Sequence, residues 1–71
     1  MSKLALNKLD EPVVIVCYEQ EERMTRREGL EKYWGCMRNS EGPEHQRYET
    51  IFFQLLTGFN RCDDLYPLHL I

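Results

Sequence analysis

The sequence predicts an α+β fold, in which a short β-hairpin or strand is followed by an antiparallel two-helix hairpin packed on it. Three observations carry this prediction. A β-branched run occupies residues 13–18, and two stretches, 25–39 and 43–57, repeat apolar residues at helical spacing. A short Gly-Pro turn separates the two stretches and favours antiparallel helices. At 71 residues, the chain makes one small domain over residues 1–71.

The N-terminal residues carry no regular pattern. Residues 1–11 mix three leucines with polar side chains, and Pro12 disfavours helix at Glu11. We therefore expect a loosely ordered arm over residues 1–11.

A β element is predicted over residues 13–24. The run of residues 13–18 has the composition of a strand, and its continuity indicates burial on both faces, or one face against the helices and one against a partner. The polar residues 19–22 should turn the chain, and Arg23 and Met24 could then return as a short second strand.

The first helix begins with a capping box. Thr25 can accept from the amide of Glu28, and the Glu28 carboxylate can accept from the amide of Thr25. The apolar stripe, predicted to be buried, comprises Leu30, Tyr33, Trp34 and Met37. Gly29 and Gly35 lie inside this helix, where each costs about 1 kcal/mol relative to alanine. Either another backbone approaches closely or the helix tolerates them, and we favour tolerance.

The second helix follows the turn at Gly42 and Pro43, two residues suited to a helix start. Gly58 marks its expected end. Its predicted core stripe comprises Tyr48, Ile51, Phe52, Leu55 and Leu56.

The C-terminal tail, residues 59–71, is harder to interpret. Residues 60–64 fit an edge strand or coil. Residues 65–71 are strongly apolar, so they either pack along the core or meet another chain.

Composition and cysteine spacing narrow the function classes. The net charge of −3 disfavours a surface for nucleic acid or anionic lipid. No secretory signal or membrane-length apolar run occurs, and three cysteines without Cys-x-x-Cys spacing indicate reduced thiols, so we expect a cytoplasmic protein.

The possible soft metal ligands are Cys17, Cys36, Cys62 and His45. They lack paired spacing, and we interpret the first two as small buried hydrophobes.

No catalytic motif is evident. A Cys–His pair would need a cleft that so short a chain hardly offers, and Asp63 and Asp64 would point to opposite faces of a strand. The sequence therefore predicts no enzyme activity, no catalytic, cofactor-binding or metal site, no cofactor and no small-molecule substrate.

Nucleic-acid binding is the alternative function. The second helix could present outward a set of polar residues: His45, Gln46, Arg47, Thr50 and Gln54. The basic cluster is Arg23, Arg26 and Arg27. Because four glutamates surround it (Glu21, Glu22, Glu28 and Glu31), we interpret it as a charge-mixed, solvated face.

Five short stretches within residues 24–64 form a recognisable pattern: M-T-R-R-E-G-L-E-K-Y, C-M-R-N-S-E-G, R-Y-E-T-I-F, Q-L-L-T-G and a trailing C-D-D. In these stretches the chain resembles a group of short proteins encoded on mobile elements and in genomes of anaerobic gut Firmicutes. The resemblance implies a bacterial, cytoplasmic accessory protein and assigns no activity.

Aromatic and arginine side chains complete the functional prediction. One Trp, four Tyr, three Phe and six Arg are the residue types that dominate interface energies, although many also fill a small core. We expect a non-enzymatic protein that acts by protein–protein association with a partner or a second copy, through the strand at residues 13–18 or the apolar tail.

Overall fold

The computed structural model describes residues 8–65, so the expectation for residues 1–7 and most of that for the tail lie outside it. The α+β class is confirmed. The elements are β1 (Pro12–Cys17), β2 (Gln20–Thr25), α1 (Arg26–Arg38), α2 (Gly42–Thr57) and β3 (Arg61–Asp63). Neither helix in this range combines the length and apolar character needed to cross a bilayer.

The three strands form one sheet in the order β2-β1-β3. β1 is antiparallel to β2 and parallel to β3, with Ile15 opposite Glu22 on one side and Cys62 on the other. The helices supply the crossover that a parallel pair requires. Residues 61–63 are thus a strand rather than coil. Because β1 has a neighbour on both sides, the expectation that it meets a partner as an edge strand is wrong.

The hairpin turn is tighter than the sequence predicted. It consists of Tyr18 and Glu19 alone, with φ of 53° and 66°. Residues 20–22, which were expected to turn the chain, belong to β2, and Tyr18 belongs to the turn rather than the strand. The polar composition of β2 reflects its exposed position, since Gln20 to Arg23 are all solvent-exposed.

Both predicted helices are present, and local chemistry defines their ends. The Glu28 amide donates to Thr25 Oγ1 at 3.2 Å and the Thr25 amide donates to Glu28 Oε1 at 2.9 Å, which confirms the capping box. Gly58 ends α2 in the left-handed region, with φ of 107°. The start of α1 meets the end of α2 where Arg26 donates to the Leu55 carbonyl oxygen. The end of α1 meets the start of α2 where the Met37 carbonyl oxygen lies 2.9 Å from His45 Nδ1, so the helices are antiparallel.

The core lies between the helices and one face of the sheet. Its buried apolar members are Val13, Ile15, Tyr33, Ile51, Leu55 and Cys62. Val14 and Val16 face the other side of the sheet and are half-buried. There the Arg61 side chain on β3 pairs with Glu21 on β2 at 3.2 Å. The central strand is therefore packed by the helices on one face and spanned by an ion pair on the other.

Gly29 marks a close approach between α1 and its neighbours. A Cβ built on Gly29 would lie 2.9 Å from Leu55 Cδ1 and 3.1 Å from Ile15 Cδ1. The close neighbours are side-chain methyl groups and not another backbone, so the glycine leaves space for core side chains. For Gly35 no close approach occurs, because no described atom lies within 4 Å of an added Cβ.

Arg26 is buried completely, which corrects its assignment to a solvated basic face. Its guanidinium donates at 2.8 Å to the carbonyl oxygens of Leu55 and Phe59 and at 2.6 Å to Asn60 Oδ1. It also pairs with Glu11 at 3.3 Å. Leu55 is in the last turn of α2, and Phe59 and Asn60 follow it. Arg26 therefore fixes the start of α1 to the end of α2.

Candidate protein-binding surface

A row of large apolar side chains runs along the helix pair. We name it the aromatic face, and its members are Leu30, Trp34 and Met37 on α1 with Phe52, Phe53 and Leu56 on α2. The Trp34 and Phe52 ring centroids are 5.7 Å apart, and those of Phe52 and Phe53 are 6.0 Å apart. The rings therefore form a continuous chain across the two helices.

The aromatic face is substantially exposed. Trp34 retains 51 % and Phe53 44 % of their accessible surface. The sequence analysis placed Trp34 in the buried stripe with Tyr33, whereas only Tyr33 is buried, at 3 % exposed. Successive helical residues are rotated by about 100°, so Trp34 lies at the flank of the stripe instead of its centre.

A second cluster ties the hairpin turn to α2. Arg47 Nη1 pairs with Asp64 Oδ2 at 2.8 Å, and the Tyr18 amide donates to the same oxygen at 3.0 Å. The guanidinium carbon of Arg47 lies 4.6 Å from the Tyr18 ring centroid. Burial by itself would raise the pKa of Asp64, but these hydrogen bonds and the arginine charge hold it below its ordinary value.

The polar residues of α2 mostly serve the fold. His45 Nδ1 lies 2.9 Å from the Met37 carbonyl oxygen, and Arg47 is held by Asp64. Thr50 is buried and donates to the Gln46 carbonyl oxygen at 2.8 Å.

Gln54, only 2 % exposed, exchanges two 2.9 Å hydrogen bonds with the backbone of Asp63. Of the five side chains proposed for nucleic-acid contact, only Gln46 is exposed to solvent, and the other four are half-buried or buried. The alternative function therefore has little support from the position of these side chains.

The cysteines and His45 do not form a cluster. Within residues 8–65, no group of three or more His, Cys, Asp or Glu side chains is arranged to hold a metal ion. Cys17 and Cys36 line one groove, whereas Cys62 is buried and its thiol lies 3.7 Å from the Phe59 carbonyl oxygen. Burial raises the pKa of Cys17 and of Cys62 to about 11, so both thiols are protonated at neutral pH.

Sequence reasoning missed two features of the site region. The Arg47–Asp64 pair joins residues 17 positions apart, and no local spacing indicates it. The exposure of Trp34 depends on how α1 is rotated against α2, although the aromatic composition of both helices did point to an interface. Comparison of this chain with protein-family models, with curated proteins and with solved structures gives no match.

Proposed function

We propose that this chain is a non-enzymatic protein-binding module that docks a partner protein on the aromatic face. The exposure of Trp34 and Phe53 within a continuous chain of ring contacts is the observation that carries the proposal. Trp is among the residues that supply most interface energy, and a protein this small gains stability from a bound partner.

The shape of the aromatic face supports a helical partner. Leu30, Trp34 and Met37 follow i, i+4, i+7 spacing, and Phe52 and Leu56 follow i, i+4 spacing on the neighbouring antiparallel helix. The rings of Trp34 and Phe52 meet between these two rows, so an amphipathic helix can lie across them with its own apolar side chains against both.

The chemistry of the thiols supports a binding role over catalysis. Cys17 and Cys62 are held as neutral thiols by burial, and a neutral thiol is a poor nucleophile and a poor metal ligand. The resemblance to short proteins of gut Firmicutes and their mobile elements supports a bacterial, cytoplasmic accessory role for such a module.

Affinity capture with matched surface variants tests the proposal. Tagged wild-type chain and a Trp34→Gln/Phe53→Gln double variant are compared in lysates of cells that naturally express the protein. The wild type should retain a specific protein that the double variant does not. Circular dichroism and thermal melts verify that the double variant is folded, and some loss of stability is expected because about half of the surface of each residue is buried.

A second measurement uses the captured protein after purification. Calorimetry should show binding to the wild type with a negative heat-capacity change, as expected for burial of apolar surface. An Arg38→Gln variant, which changes an exposed residue outside the aromatic face, is the control and should bind normally. Equal capture by the wild type and the double variant would contradict this function.

A further inference from the structure

A groove of about 450 Å³ lies between β2 and the helices, away from the aromatic face. Its floor and walls include Cys17, Gln20, Tyr33 and Tyr48, and the Lys32–Glu22 ion pair, 2.6 Å long, lies at its rim. A second hollow of about 360 Å³ shares Lys32, Cys36 and Tyr48 with the groove and extends past Gly35. Lys32 is about 200° around α1 from Leu30, so this groove and the aromatic face lie on opposite sides of the helix.

The strand beside this groove has an unpaired edge within residues 8–65. β2 is six residues long and pairs only with β1. Cys17 and Gln20 close a two-residue turn, so they form a hydrogen-bonded pair, and hydrogen-bonded pairs alternate along an antiparallel ladder. The amide and carbonyl groups of Glu21 and Arg23 therefore point away from β1, where a further strand can bind.

Gly35 leaves the floor of the second hollow open. An interior helical glycine costs about 1 kcal/mol relative to alanine, and no described atom approaches the position of its missing Cβ. Packing among the described residues therefore gives no reason for this glycine. The second hollow joins the groove through Lys32, Cys36 and Tyr48, so this open glycine provides room there for a ligand to lie close to the helix.

We propose that β2 and this groove bind an extended apolar segment by strand addition, and that the segment is residues 66–71 of a second copy of this chain. Tyr66, Leu68 and Leu70 alternate with period two, so an extended conformation places all three on one face. That face supplies side chains for the groove, while the backbone pairs with the outward groups of Glu21 and Arg23.

The position of Leu65 favours a second copy over the same chain. Leu65 lines a pocket with Tyr18, Glu19, Arg47 and Asp64, beside the end of β3 and the β1–β2 turn. β3 and β2 are the two edges of the sheet, two strand spacings or about 10 Å apart, which takes roughly three residues to cross. Within one chain, about half of residues 66–71 would be used in crossing, which leaves too few to pair along the six residues of β2. Reciprocal exchange between two copies avoids this and gives a closed two-fold dimer.

Light scattering over a range of concentrations tests the exchange with the full chain. Wild type should form a dimer. The Leu68→Asp/Leu70→Asp variant should be monomeric, because it loses the apolar contacts with Tyr33 and Tyr48 and places carboxylates beside Glu21 and Glu22. Arg23→Pro should also be monomeric, since it removes an amide that points outward and leaves the β1 ladder intact. Arg23→Ala keeps this amide and should dimerise like wild type.

Mixing the two monomeric variants gives the sharpest result. The tail of the Arg23→Pro chain is intact, and the β2 edge of the Leu68→Asp/Leu70→Asp chain is intact, so a heterodimer with one working contact should form. Circular dichroism of each variant verifies that it is folded before mixing.

Three outcomes would overturn the exchange: a monomeric wild type, a dimer that survives both sets of substitutions, or folded variants that fail to complement one another. A wild-type dimer that is lost only in Trp34→Gln/Phe53→Gln would overturn it as well, while supporting the aromatic face as the contact between copies. The failure of one proposal is therefore distinguishable from that of the other.

Discussion

Arg26 and Leu55 are linked across the helix pair: the guanidinium of the first residue of α1 donates a 2.8 Å hydrogen bond to the carbonyl oxygen of Leu55 in the last turn of α2. Carbonyl groups in the last turn of a helix have no intrahelical donor. A buried arginine therefore serves as part of the C-terminal cap of α2, together with the left-handed Gly58. Among the buried side-chain nitrogen and oxygen atoms of residues 8–65, Arg26 Nε alone has no hydrogen-bond partner.

Replacing Arg26 should destabilise the fold severely. Arg26→Ala removes the donor of the buried bond to Leu55 and of the part-buried bonds to Phe59 and Asn60, and it leaves a cavity where a fully buried side chain lay, so it should cost about 3–5 kcal/mol, which approaches the full stability of a small domain. Urea denaturation followed by circular dichroism measures this loss. Arg27→Ala is the matched control. The Arg27 side chain is 53 % exposed, so the free energy of unfolding should change by no more than about 0.5 kcal/mol. Similar costs for the two variants would show that the buried hydrogen bonds do not stabilise the protein.

Gly29 and Leu55 should be energetically coupled. Gly29→Ala adds a methyl group 2.9 Å from a methyl of the fully buried Leu55, which must shift to admit it, and should cost about 1–3 kcal/mol despite the better helix propensity of alanine. Leu55→Ala removes a fully buried side chain and should cost about 2–5 kcal/mol. In the double variant the new methyl enters the space left by Leu55, so the combined cost should be less than the sum.

Gly35→Ala is the control for this cycle, because the position lies in the same helix with open space around it. It should raise stability by about 1 kcal/mol. Additive costs for Gly29→Ala and Leu55→Ala, or destabilisation by Gly35→Ala, would mean that the close approach does not determine which glycine is required.

Features with a local cause could be predicted from the sequence. The capping box at Thr25 and Glu28, the stop at Gly58 and the two helices themselves depend on residues within one or two helical turns of each other. The structure confirms them because their spacing alone specifies the interaction.

Features that depend on distant residues could not be predicted. The sequence around Arg26 contains basic and acidic neighbours, which is typical of a surface, yet its partners lie 15 to 34 positions away. Likewise, the requirement for Gly29 comes from Leu55 and Ile15. The exposure of Trp34 was missed for a related reason, since a one-residue shift around a helix changes burial without changing the apolar pattern.

The hairpin turn offers a stabilising substitution. Tyr18 and Glu19 both have positive φ, a conformation that two-residue hairpin loops prefer and that glycine and asparagine adopt at least cost. Glu19→Gly should therefore stabilise the fold by about 1 kcal/mol, because it relieves a left-handed conformation at an exposed side chain. Thermal melts measure the gain. Glu19→Val should do the opposite, and equal stability of the two variants would show that the turn carries no strain.

Acid stability should depend on the contact between Asp64 and Arg47. The folded-state pKa of Asp64 lies below its ordinary value of 3.8, so the unfolded chain binds this proton more readily. The stabilisation is complete above the ordinary pKa and is lost as the pH falls through the lower folded value.

Asp64→Asn should cost about 1–3 kcal/mol at neutral pH, and its difference from wild type should shrink as the pH falls below 3.8. Arg47→Gln should reduce the same acid dependence only in part, because the Tyr18 amide still donates to the carboxylate. Urea titrations at a series of pH values measure these differences, and parallel pH profiles for wild type and Asp64→Asn would contradict the assignment.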